Sequence, residues 1–167
     1  KIIGGGLPVG AFGGRRDVME RLAPLGDVYQ AGTLSGNPLV AGAGAAVLRR
    51  LREDNPYARI ERLGAQLARG LREAAADASV PIRIGRVGGM FTAFFAPAEV
   101  RDHESARRSD TRLYAQFFRR MLEGGVLLAP SQFEAGFVSA CHDASCIKSA
   151  TRVARGALSR LSRTVAR

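Results

Sequence analysis

Apolar positions in this chain recur at helical spacing in three long stretches and at strand-like spacing in several short ones. Beyond Asp54-Asn55-Pro56, residues Ile60, Leu63, Leu67 and Leu71 fall three or four apart, which predicts an amphipathic helix with its arginines facing water. The same spacing places Leu113, Phe117, Met121 and Leu122 on a helix from Asp110 to Leu122, closed by Gly124-Gly125. Ile147, Ala150, Ala154, Leu158, Leu161 and Val165 form the inner stripe of a terminal helix. Ile82–Val87 and Met90–Phe95 read as two strands joined at Gly88-Gly89, a hairpin signal. Val126–Leu128 and Gly136–Ser139 read as further short strands.

The first third has shorter elements. Leu7 to Gly14 alternates small and apolar residues, the pattern of a short buried strand after a turn. Arg15 to Leu22 then reads as a short helix stopped at Pro24, and Gly32–Gly36 as a loop. Asn37-Pro38 supplies an N-cap and a first-turn proline for a helix running through Leu51. The polar run Arg101–Ser105 is loop-like. This order predicts an α/β to α+β chain: the end of a larger α/β domain over 1–52, a connecting helix over 53–78, and a small carboxy-terminal α+β domain over 79–167.

With 167 residues, 46% of them hydrophobic and 24% charged, the chain is long enough for one ordinary core. No run approaches the roughly 18 apolar residues of a membrane span. No basic-then-apolar start resembles a signal peptide, so the expectation is a cytoplasmic protein with no membrane partner. Opening on Lys inside a glycine-rich segment is an odd start for an independent fold, and a fragment is expected.

The net charge of +10 raises the question of nucleic acid. Its distribution argues for solvated helix faces instead: the arginines scatter along helical segments, and no aromatic residues alternate with them as stacking platforms. No nucleic-acid partner is expected. Cys141 and Cys146, with His142 between, are too few ligands for a zinc site and read as buried or half-buried thiols, so no metal is expected. Neither His103 nor His142 has an evident nucleophile or ligand partner in sequence.

Three stretches carry candidate chemistry. Lys1 sits on the open turn Gly4-Gly5-Gly6, where an amine could reach an aldehyde, in a chain with only one other lysine, Lys148. Gly32-Thr33 precedes the helix capped at Asn37, so backbone donors, a hydroxyl and a positive helix end converge where an anion can bind; a plain helix-entry loop has the same pattern. Glu134, between a short strand and Gly136, could point into a cleft or into solvent. No phosphate loop, His-Glu-x-x-His helix or Gly-x-Ser-x-Gly turn occurs.

Together these stretches resemble the glutamate-1-semialdehyde 2,1-aminomutases, a branch of the class III, fold-type-I pyridoxal-phosphate enzymes. Lys1-Ile-Ile-Gly-Gly-Gly-Leu-Pro-Val-Gly-Ala11 is similar to the segment around the cofactor lysine, which would make Lys1 both cofactor anchor and proton-transferring base. Gln30-Ala-Gly-Thr-Leu-Ser-Gly-Asn-Pro38 resembles the loop that reaches the cofactor phosphate of a neighbouring subunit, giving that role to Gly32 and Thr33 and implying a homodimer. Ala129-Pro-Ser-Gln-Phe-Glu-Ala-Gly-Phe-Val-Ser139 is the part most particular to the aminomutases, and there Glu134 approaches the substrate pocket.

The resemblance implies an isomerase that converts glutamate-1-semialdehyde to 5-aminolevulinate for tetrapyrrole (porphyrin) synthesis, with pyridoxal 5'-phosphate cycling through its pyridoxamine 5'-phosphate form. Residues 1–52 would then close the cofactor-binding domain. The likeness reaches only roughly the last two-fifths of such an enzyme, so the chain alone is expected to be inert. Two other readings stand beside it: an ω-aminotransferase fragment of the same class, and a non-catalytic basic remnant or interaction module.

Overall fold

The computed structural model describes residues 2–165, with side chains through Ser162. The chain divides into two compact units, residues 1–55 and 56–167.

In the first unit, α1 (Arg16–Met19) is a four-residue helix, shorter than the predicted Arg15–Leu22. Leu22 and Val28 form an isolated parallel bridge. Helix α2 (Pro38–Asp54) begins as predicted. The Asn37 side chain accepts from the backbone N–H of Leu39 at 3.1 Å and of Val40 at 3.2 Å, and Pro38 opens the helix, where its missing N–H costs nothing. The helix runs three residues past Leu51 and ends where Asn55 turns left-handed at φ 38°. The strand predicted over Leu7–Gly14 is not formed, and residues 8–14 are exposed. Alternation alone does not make a strand: among the described residues no neighbour completes a ladder, and Pro8 has no N–H to offer one.

The second unit is a three-stranded sheet with helices. Helix α3 (Tyr57–Asp77) buries Leu63, Leu67 and Leu71 as the spacing predicts, adds Ala68, Ala74 and Ala75, and packs within this unit. Strands β1 (Arg83–Val87) and β2 (Met90–Phe94) pair antiparallel, with Val87 opposite Met90 around the predicted turn; Gly88 at φ +57° takes the left-handed conformation it needs. The polar run at 101–105 is not a loop but leads into a short helix, α4 (His103–Arg107). Its capping box was overlooked in sequence: the Ser105 N–H donates to Asp102 Oδ1 at 2.7 Å, and the Asp102 N–H donates to Ser105 Oγ at 3.0 Å.

Helix α5 (Thr111–Glu123) starts at Asp110, whose carboxylate accepts from the Arg112 and Leu113 N–H groups. Leu122, assigned to its inner stripe, is 49% exposed. Residues 126–128 form no strand, while β3 (Gly136–Phe137) adds to β2 with Phe137 opposite Met90, giving the order β1-β2-β3. Helix α6 (Ala144–Val165) buries Ile147, Ala154, Leu158 and Leu161; the Val165 side chain, predicted to join them, lies outside the described side chains. Phe95 sits at the centre, with ring centroids 6.0 Å from Tyr114 and 5.4 Å from Phe117. Edge-on and tilted aromatic contacts of this kind add to the stabilisation from burial alone.

Candidate active site

Lys1, the candidate anchor and base, lies outside the described residues; the turn that carries it does not. The Gly5 N–H donates to the Ile2 carbonyl and the Leu7 N–H to the Gly4 carbonyl, each at 3.1 Å, so the glycines form two consecutive tight turns. This segment lies close to α2: a Cβ added at Gly5 would stand 2.9 Å from Val47 Cγ2, and one added at Gly44 would stand 2.9 Å from the Ile3 carbonyl oxygen. Only glycine permits that approach without a shift of backbone.

The loop before α2 holds Gly32 and Thr33. It is built by the Ser35 N–H donating to the Gly32 carbonyl at 2.9 Å and the Asn37 N–H donating to the Leu34 carbonyl at 3.1 Å. The Gly32, Thr33 and Leu34 amides and the Thr33 hydroxyl have no protein acceptor among the described residues, and Gly32 and Thr33 are exposed. Asn37 Oδ1 meanwhile satisfies the first amides of the helix. Exposed donors next to a helix N-terminus form a set suited to a phosphate. The residues present therefore fit a phosphorylated cofactor, with the loop and the lysine turn both hung on α2. Gly44 lies seven residues beyond Asn37, roughly 10 Å along the axis.

In the second unit, Glu134 is exposed, but the loop that carries it is tied down. The Tyr114 hydroxyl donates to the Ala129 carbonyl at 2.5 Å, and the Phe95 N–H donates to Gln132 Oε1 at 3.3 Å. Within the loop, the Glu134 N–H donates to the Ser131 carbonyl and the Phe133 N–H to Ser131 Oγ, both at 3.2 Å. Thr92 Oγ1 on β2 donates to the Glu134 carbonyl at 3.4 Å. Burial pushes the Tyr114 phenol above its ordinary pKa, and the negative charge of Glu134 adds to the shift. Glu134 is exposed and at the same time lines a cavity of about 20 Å³ with Thr92, Tyr114 and Gln132.

Gln132 and Tyr114 were not singled out in sequence. Gln132 stands in the same motif as Glu134, Ser131-Gln-Phe-Glu134. Tyr114 is hidden within the apolar face of α5.

The cysteines differ from expectation, for Cys141 and Cys146 are both exposed free thiols. They lie at the entry to α6, where polar turn residues face solvent. His142 is held by its own turn: Nδ1 accepts the Ser139 N–H at 3.0 Å and lies 3.1 Å from Ser139 Oγ. Asp143 accepts from the Cys146 N–H at 2.8 Å and the Ser145 hydroxyl at 2.7 Å, and these bonds, the backbone one foremost, hold its pKa down at about 2. Among the described residues no group of three or more His, Cys, Asp or Glu could hold a metal, and no helix is long and apolar enough to cross a membrane.

The chain is 60% identical over 142 residues to a glutamate-1-semialdehyde 2,1-aminomutase of Anaeromyxobacter sp., covering 85% of this chain and 33% of that protein. It is 52% identical over 161 residues to the enzyme of the same name from Opitutus terrae, covering 96% and 38%. The chain thus spans between a third and two-fifths of the length of these curated relatives. Among solved structures, an omega-transaminase from Sphaerobacter thermophilus superimposes with a TM-score of 0.81 at 27% identity, over 98% of this chain and 37% of that one. A lysine-to-alanine variant of a glutamate-1-semialdehyde aminomutase from Pseudomonas aeruginosa PAO1, in complex with PMP, gives a TM-score of 0.70 at 25% identity, over 78% and 29%. These neighbours bear out the expected fold, the end of a fold-type-I large domain followed by a small α+β domain. The sequence profile described as aminotransferase class-III matches residues 1–141, and this chain belongs to that family.

Proposed function

We propose that the protein of which this chain forms a part is a glutamate-1-semialdehyde 2,1-aminomutase, a pyridoxal-phosphate isomerase that forms 5-aminolevulinate for porphyrin synthesis. The observation that carries this reading is the 52–60% identity to aminomutases over 85–96% of the chain, a span that includes the Ala129–Ser139 stretch. Pyridoxal phosphate, when bound, supplies an aldehyde that exchanges amines and a ring that withdraws electrons from the neighbouring C–H bond.

Each candidate site residue then has a task. Lys1 would hold the cofactor through its Nζ and, once released, would deliver a proton to C1 in one half of the exchange and remove one from C2 in the other. A free lysine amine near its ordinary pKa of about 10.4 is a poor nucleophile at neutral pH, so its use depends on the partner it is held against. The Gly32 amide and the Thr33 amide and hydroxyl bind the phosphate at the positive end of α2, across a homodimer interface. Glu134 meets the amino groups of the substrate from the small domain with a negative charge. No net oxidation occurs, because the amino group leaves one carbon and arrives at its neighbour. A soluble, cytoplasmic setting accompanies this reading.

The similarity to an omega-transaminase supports a second reading, an ω-aminotransferase that needs an external amino donor. Glutamate-1-semialdehyde supplied to the full-length holoenzyme without any donor separates the two. The aminomutase forms 5-aminolevulinate through many turnovers, whereas the transaminase stops after one amine exchange. The 167-residue chain by itself is expected to be inert in this assay.

A further inference from the structure

Resting on the assignment of Glu134 to the substrate pocket, we infer that Gln132 is a positioning residue that aims the Glu134 carboxylate, with Tyr114 as its support. Gln132 is only 2% exposed although its neighbour Phe133 is 53% exposed. Burial of a primary amide is costly unless both of its ends are paired. One end is paired: Oε1 accepts the Phe95 N–H. The other, Nε2, is buried and donates to no protein atom among the described residues. Met or Leu would fill a similar volume without leaving a donor over. The structure therefore keeps a donor where packing alone does not call for one.

The surroundings indicate its use. Gln132 lines the cavity of about 20 Å³ together with Thr92, Tyr114 and Glu134. That volume admits about one water molecule. Tyr114 already donates its proton to Ala129 and Thr92 its proton to the Glu134 carbonyl, so the anionic acceptor left in the group is the Glu134 carboxylate. An amide donor that reaches it through one water in this cavity selects one of its rotamers.

The support is rigid. Phe95 supplies the N–H that orients Gln132, and its ring packs edge-on to Tyr114 at an interplanar angle of 78°. Tyr114 in turn fixes the start of the loop at Ala129. One buried aromatic pair thus holds both supports.

A double-mutant cycle in the full-length holoenzyme tests the inference. Gln132→Met keeps the volume and removes both polar ends; kcat is expected to fall about tenfold with KM unchanged. In a Glu134→Gln background the same change is expected to cost nothing further, because the group it positions is already gone. Should Gln132→Met fail to fold, Tyr114→Phe, which loses one hydroxyl, is read in the same cycle with the same expectation. Wild-type turnover in Gln132→Met, or an equal loss in both backgrounds, overturns the positioning role while leaving that of Glu134 intact. Wild-type turnover in Glu134→Gln overturns the reading of Glu134 itself, and the inference with it.

Discussion

The two units of this chain differ in what they contain. Residues 56–167 enclose one continuous apolar cluster from Leu63 to Leu161, with Phe95, Phe117 and Met121 almost wholly buried. Residues 1–55 bury only Gly4, Val40 and Gly44 among the described residues, while Leu25 and Tyr29 are 80% and 83% exposed. Yet this coreless unit contains the lysine turn and the phosphate-type loop. The apolar core and the proposed cofactor residues therefore lie in different parts of the sequence. The carboxylate of Glu134 stands on a loop tied to the unit that has the core.

The largest effect that could break this division belongs to Lys1. In the full-length holoenzyme, Lys1→Ala is expected to lower 5-aminolevulinate formation by about a thousandfold, within the range for loss of a catalytic acid-base group. Borohydride trapping of the wild-type enzyme should label the peptide that contains Lys1. Turnover retained in the variant would move the chemistry elsewhere.

Leucine truncation sharpens the contrast in stability. In the 167-residue chain, Leu67→Ala in the core of the second unit should cost about 2–5 kcal/mol in urea unfolding. Leu39→Ala, 72% exposed on α2, should cost no more than about 0.5 kcal/mol. A comparable loss at Leu39 would mean that the first unit has a core of its own.

What could be read from the sequence follows the same line. The helices and the hairpin of 56–167 were legible because a buried face imposes a period, as Leu63, Leu67 and Leu71 show. Over Leu7–Gly14 a similar alternation misled, since with no partner strand nothing converts the pattern into pairing. The α4 helix was missed because its signal is the reciprocal bond of Asp102 and Ser105, not an apolar stripe. At the candidate site, Gly32, Thr33 and Glu134 were singled out through motifs. Gln132 escaped because burial of a polar side chain is a tertiary fact, and Gly44 because a helical glycine does not announce which carbonyl it admits.

Gly44 offers a subtler way to probe the first unit. With a Cβ only 2.9 Å from the Ile3 carbonyl, Gly44→Ala must displace the turn that carries Lys1. Turnover of the holoenzyme is expected to fall about tenfold, since small misplacements of reacting groups are costly. Gly42→Ala on the same helix meets nothing within 4 Å and should leave turnover unchanged. Equal behaviour of the two variants would detach the lysine turn from α2.

The smallest expected effect distinguishes the units by how their helices are capped. In the first unit α2 is capped by Asn37, which does not titrate, whereas in the second α6 is capped by Asp143. The pKa of Asp143 is lowered from 3.8 to about 2, chiefly by the Cys146 N–H, so the folded state binds its proton less tightly than the unfolded chain does. The stabilisation is therefore present above pH 3.8 and is lost as pH falls through about 2. Asp143→Asn keeps an oxygen to accept the Cys146 N–H but removes the titration. The difference in melting temperature between wild type and this variant, in which the other carboxylates cancel, should favour wild type progressively more as pH rises across that window and level off above it. A difference independent of pH would show that the capping bond does not depend on the charge of Asp143, and the contrast between the two caps would vanish.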